Sequence, residues 1–205
     1  KEVAIDMPAG PSEVEVIADE SANPAFIAAD FLSQAEHGVD SQAMLVTASE
    51  SIVKPVMQAI REQLDRLPRK EITEKSLSHS RLIVLKDKQE VIDFTNLYAP
   101  EHLIIQTTDY ADIAGQVENA GSVFMGPYTP ESAGDYASGT NHTLPTNGYA
   151  KAYSGVNLDS FIKKITFQEI TADGIRLLGG TIRTMAANEQ LDAHKNAVTI
   201  RLNTL

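Results

Sequence analysis

The sequence of 205 residues contains no cysteine. That excludes a disulfide framework, a thiolate nucleophile and a thiolate metal ligand, so any metal here must use histidine, carboxylate or amide donors. Basic residues are also few: 17 Lys and Arg stand against 28 Asp and Glu, a formal net charge of -11. Nucleic acid and anionic lipid both select basic surfaces, so neither is expected as a partner. No apolar run approaches the roughly 20 residues of a membrane span, and no secretory h-region opens the chain. We therefore expect a cytoplasmic protein. Three common signatures are missing too: there is no Rossmann G-x-G-x-x-G, no P-loop and no G-x-S-x-G elbow. The stretch "LLGGTIR" has neither the spacing nor the context of the first.

What is present is a globular balance, 42% hydrophobic and 22% charged residues, in a length that suits one large domain or a domain with a small appendage. The chain starts "KEVAIDMPAG", without an initiator Met and already apolar. We expect it to be a piece of a longer protein.

Strand and helix patterns alternate. "VEVIAD" (14–19) reads as a buried strand, and Asn23-Pro24 cap a helix that runs to His37 and stops at Gly38. "AMLVTAS" (43–49) is a strand, followed by a helix from about Ser51 to Arg66. Then come strand 81–87, helix 88–98, strand 102–107, helix 110–121 and strand 122–126. This alternation predicts an α/β fold with a mostly parallel sheet, an incomplete Rossmann-like layered domain. After Met125 a long stretch rich in Gly, Pro, Ser, Thr and Asn intervenes, of a length that is usually functional. Two helices follow. We place a boundary near 158, giving an α/β domain over 1–157 and a small helical C-terminal arm over 158–205.

Several residues could carry chemistry. In "FLSQAEHG" (31–38), Gln34 and His37 lie one helical turn apart on one face. They suit either a metal or merely a helix end whose dipole favours a cation. In "APEHL", Glu101 and His102 follow a rigid proline and precede an apolar strand. They read as two proton-transfer groups or as a chance surface pair. Asp135 and His142 sit in the glycine-bearing "GDYASGTNH", with oxygen and nitrogen donors that suit zinc. Glu189 and His194 fall in the helical tail, where packing or dimerisation is the ordinary role. His79, in "SLSHS", reads as surface. One feature is at odds with a simple α/β site, which lies at the carboxyl ends of strands. Glu101-His102 stand at the start of theirs, so either that strand is antiparallel or the site is at an interface. On residues alone the protein is an α/β domain with candidate metal and Glu/His acid–base chemistry.

The stretches "DMPAGPSEV", "ADFLSQAEHG", "DSQAMLVT", "YAPEHL", "GPYTPESAGDYASGTNHTLPT" and "AANEQLDAHKNAV", in that order, resemble the histidinol dehydrogenase family. The likeness covers essentially this whole chain but only the C-terminal half of the family's usual length, leaving out the module that binds most of the NAD. It implies oxidation of L-histidinol to L-histidine by two NAD in succession, through an aldehyde-level intermediate, as the last step of histidine biosynthesis. It further implies one zinc per active site held by Gln34, His37, Asp135 and His194. Glu101 and His102 match the proton-transfer pair, and Ser12, His142 and Glu189 match substrate contacts, alongside His102 and the metal ligands. An intertwined homodimer, whose tail completes the partner's site, is also implied, and a fragment lacking the NAD half is expected to be inactive alone. Two other classes compete: a metal-dependent hydrolase in which Glu101 activates a metal-bound water, and a non-catalytic dimerisation module. The intact set of four ligand candidates counts against the latter.

Overall fold

A computed structural model describes residues 7–205; Asp6, the first residue of the motif "DMPAGPSEV", lies outside the described residues. The chain divides into two compact units, the first reaching Ile162 and the second spanning Lys163–Leu205.

The first unit is built on five parallel strands: β1 (Glu13–Ala18), β2 (Gln42–Thr47), β3 (Arg81–Val84), β4 (His102–Gln106) and β5 (Ser122–Met125). Their order is β3-β2-β1-β4-β5. The central strand is buried on both faces, so its residues alternate between two apolar layers. Val14, Val16 and Ala18 pack with Ile27 and Phe31 of α1 (Pro24–Ala35) and Val56 of α2 (Val53–Leu64). Ile17 packs on the other side with Val91 and Ile92 of α4 (Lys88–Tyr98) and Ile113 of α5 (Tyr110–Ala114). Asn23 caps α1 by accepting the N–H of Ala25, with Pro24 at the first helical position, as its sequence predicts.

Three elements differ from the sequence reading. The helix expected over 110–121 stops at Ala114, because Gly115 caps it and the Asn96 side chain accepts the N–H groups of Glu118 and Asn119. Helix α3 (Lys70–Leu77) has no apolar period to betray it; its buried residues are Thr73 and Ser76, and the Ser76 hydroxyl donates to the Ser41 carbonyl at 2.8 Å. A short helix, α6 (Glu131–Tyr136), also forms within the polar stretch read as a loop. The second unit holds α7 (Ala172–Asn188) and α8 (Asp192–Asn203). No helix among the described residues is long and apolar enough to cross a membrane.

One buried group works against this core. Glu15 is fully buried on β1; it accepts a hydrogen bond from Thr95, while its second carboxylate oxygen has no partner. Burial raises its pKa from 4.5 to about 8, against the lowering by Thr95. The folded state thus holds a proton that the unfolded state releases above pH 4.5, and stability falls as pH rises from there to about 8. Glu15→Gln should flatten that decline by up to about 1.4 kcal/mol per pH unit, as read by denaturant unfolding at a series of pH values; an unchanged slope would show that Glu15 is ionised in the fold.

Candidate active site at the amino edge of the sheet

Parallel pairing puts His102, the first residue of β4, opposite Val14, and so sets Glu101 beside Glu13 at the start of β1. The antiparallel alternative for the strand after Glu101-His102 is thereby excluded. The site lies at the amino edge, and the connections explain why. Helix α1 leaves the carboxyl end of β1 and must return to the amino end of β2, so its last turn delivers Gln34, and the turn after it His37, to that edge. Helix α4 ends at Ala99, which is left-handed (φ 58°, ψ 65°) and buried, directly before Pro100. A left-handed alanine is strained by roughly 1 kcal/mol, and the sharp exit it makes turns Glu101 and His102 inward. The turn is latched to β5, since the N–H groups of Gly121 and Ser122 donate to the carbonyls of Pro100 and Glu101, each at 2.9 Å.

Four buried side chains meet there: Glu13, Gln34, Glu101 and His102, with Glu131 of α6 as a fifth. The Glu13 N–H donates to Glu101 Oε2 at 2.9 Å, and the same Glu101 oxygen lies 3.5 Å from His102 Nδ1. Nδ1 is 3.2 Å from the Glu13 carbonyl, which can only accept, so the neutral ring carries its proton on Nδ1. That leaves Nε2 as the basic nitrogen. It is buried without a hydrogen-bond partner, 4.0 Å from Glu131 Oε1. Burial alone would lower the His102 pKa, but the Glu101 contact and the charges of Glu131 and Glu101 overcome it and raise it to about 9. Burial raises Glu131 to about 7, helped by the charges of Asp135, Glu101 and Asp30 and opposed by His102. Burial likewise raises Glu13, which accepts from the Tyr98 hydroxyl and from the Asn147 N–H. The arrangement is one imidazole in a buried acidic field, able to take a proton at Nε2.

The other candidates fall on either side of this pair. His37 and Asp135 join Glu131 in a set of three whose donor atoms all lie within 4.8 Å of one another. These are nitrogen and oxygen donors of the hardness zinc accepts, so the residues fit that metal. Gln34, at 0% exposure, places its amide against Glu131. Ser12 is half-buried immediately before β1, and His142 is exposed on the loop after α6. His79 is exposed, as the sequence suggests. Glu189 caps the end of α7 and His194 lies on α8, both exposed in the second unit. Glu13 and Glu131 were invisible to sequence reasoning: the first reads as an alternating strand residue, the second as part of a loop. The only signal for Glu131 is its i, i+4 spacing to Asp135.

A histidinol dehydrogenase family model matches residues 1–202. The chain belongs to the histidinol dehydrogenase family. It is 69% identical over its full length to the histidinol dehydrogenase of Bacteroides thetaiotaomicron, covering 48% of that protein. It is 59% identical over 204 residues to the chloroplastic histidinol dehydrogenase of Arabidopsis thaliana, covering 99% of this chain and 44% of the relative. Its fold superposes on the crystal structure of histidinol dehydrogenase from Elizabethkingia anophelis with a TM-score of 0.95 at 58% identity, over 98% of this chain and 47% of the other. The chain thus spans about half the length of the relatives it matches.

At the carboxyl edge of the sheet, the turn after β1 is not the glycine turn of a dinucleotide-binding fold. Where a phosphate-binding turn would need glycine and free N–H groups, the turn after β1 holds Asp19. Its carboxylate accepts the N–H groups of Ser21 at 2.9 Å and Thr108 at 3.1 Å.

The fit of α6 against the sheet depends on Gly134. A Cβ there would lie 2.7 and 2.9 Å from ring carbons of Phe124, whose centroid is 6.0 Å from that of His102. Gly134→Ala should push α6 off β5 and cost about 1–3 kcal/mol, measured by thermal unfolding. It should also carry Glu131 and Asp135 together away from His37. Wild-type stability in this variant would mean that the helix moves freely over Phe124.

Proposed function

We propose that this chain is the substrate- and zinc-binding, C-terminal half of a histidinol dehydrogenase, oxidising L-histidinol to L-histidine through an aldehyde-level intermediate with two NAD in succession. The observation that carries the reading is the convergence at one sheet edge of a buried Glu101-His102 pair with the donors His37, Asp135 and Gln34. Gln34, His37, Asp135 and His194 are the residues we assign to the metal, which when bound supplies a Lewis acid that orients and polarises the substrate. NAD, the oxidant, is assigned no residue of this chain. We also read the strand order as that of an incomplete Rossmann-like sheet, with residues 158–205 as a dimerisation arm.

In the first oxidation His102 Nε2 accepts the hydroxyl proton of the alcohol as hydride leaves the adjacent carbon. With a metal bound, the negative field on His102 would be partly offset, and the ring would release its proton at lower pH. In the second half Glu101 removes a proton from the water that adds to the aldehyde, forming the hydrate. Glu101 returns that proton to the oxygen that was the carbonyl, completing the hydrate, and takes one hydroxyl proton as the second hydride departs; the acid so formed releases its remaining proton to water, leaving the carboxylate. Ser12, His142 and Glu189 are proposed to contact the substrate's amino and imidazole groups, as Gln34, His37, Asp135 and His194 do through the metal.

The second unit supports an arm in a homodimer, with Glu189 and His194 reaching the partner's site. Phe167 is 91% exposed and Leu177 82% exposed, in company with Ile165, Met185 and Ile200. Such an apolar surface is that of an element made to pack on another chain. The composition suits a cytoplasmic enzyme.

Calorimetric titration of L-histidinol into this chain, with zinc and after chelation, tests the reading. We expect zinc-dependent binding that His37→Ala abolishes. Binding that ignores both zinc and His37 would contradict the assignment of the metal centre. Adding the missing half and NAD should then produce NADH; a metal-dependent hydrolase would need neither.

A further inference from the structure

We infer that Glu131 is a positioning residue of the metal centre: its carboxylate orients the Gln34 amide and couples the His37–Asp135 donors to His102. This goes beyond the ligand set assigned above and rests on that reading. Glu131 is 2% exposed, in the first turn of α6, where Pro130 fixes the entry (φ -72°). Asp135 is four residues on, so both carboxylates leave the same face of one short helix. With its amide turned so that every group is satisfied, Gln34 donates its N–H2 to Glu131 Oε1 at 2.7 Å and Oε2 at 2.9 Å, and its oxygen accepts the Glu13 N–H at 3.2 Å with one lone pair, leaving the other for a metal.

Both oxygens of Glu131 are therefore engaged with the amide, while Oε1 also faces the unpartnered Nε2 of His102, itself 3% exposed. A buried carboxylate held between a histidine, an aspartate and an amide is placed to act on all three. It holds an amide in one orientation and supplies negative charge beside the donors of a cation. Residues that orient a metal's ligands typically cost 10–100-fold in affinity when lost.

The test is zinc affinity of this chain by competition with a chromophoric chelator, together with the visible spectrum of the cobalt(II) form. Glu131→Gln keeps the shape but removes the charge and replaces an acceptor with a donor facing Gln34. We expect about a 10–100-fold weaker zinc affinity and an altered cobalt spectrum, with the thermal melt showing a folded chain. Glu131→Asp keeps the charge and should recover part of the affinity; it also serves if the glutamine variant does not fold. Wild-type affinity and an unchanged cobalt spectrum in Glu131→Gln, or in a folded Glu131→Asp should the first not fold, would overturn the inference. His37→Ala and Asp135→Ala separate the two readings. If these also leave zinc affinity unchanged, the metal centre itself is wrongly assigned; if only the Glu131 variants do, the inference about Glu131 alone fails.

Discussion

The structure turns on the burial of several carboxylates around a single imidazole at the amino edge of a parallel sheet. Buried charge is costly unless it is paired or neutralised, and here the terms do not cancel group by group. Glu13, Asp30 and Glu131 are all held above their ordinary pKa by burial, while His102 is held above its own by the carboxylates that flank it. The cluster shares fewer protons than it has sites for. Such a group is ready to take up a cation or a substrate proton, and it destabilises the fold that contains it.

The scaffold tolerates this because the topology concentrates it. Every strand of the sheet is parallel, so every helix that crosses back ends at the amino edge, and the polar ends of α1, β1 and β4 meet there. Between them lies a continuous apolar core that contributes the stability. The polar contacts are specific in direction. Asp30 on α1 accepts from Gln106 on β4 at 2.7 Å, one turn before Gln34, so the helix presents a polar line to the sheet over its buried face. Glu13 ties the loop after α6 to β1 through the Asn147 N–H at 3.1 Å. Close approach of Gly121 to the Glu101 carbonyl, where a Cβ would lie 2.5 Å from the oxygen, leaves the hinge no slack.

Much of this was legible in the sequence. The β–α alternation gave the parallel sheet, because buried parallel strands are continuous apolar runs and need no turn chemistry to be seen. Asn23-Pro24 marked the start of α1, and "APEHL" marked the Glu101-His102 pair, which the fold buries. What stayed hidden was hidden for physical reasons. Helix α3 turns Thr73 and Ser76 inward, so no hydrophobic period announces it. Helix α6 is Gly- and Ser-containing and only six residues long, so no sequence pattern marks Glu131 as buried. Glu13 and Glu15 occupy alternating positions that usually face water, yet here both faces of β1 are covered. The convergence of His37 with Asp135 is a long-range contact with no local trace; only resemblance to a family supplied it.

The most direct measurement is an NMR titration of the His102 ring in the metal-free chain, compared with Glu101→Gln. The account predicts a pKa of about 9 in the parent protein and a clear fall in the variant, since one of the flanking carboxylates is gone. A ring that titrates at or below the ordinary 6.5, unmoved by Glu101→Gln, would contradict the claim that buried carboxylates hold this imidazole.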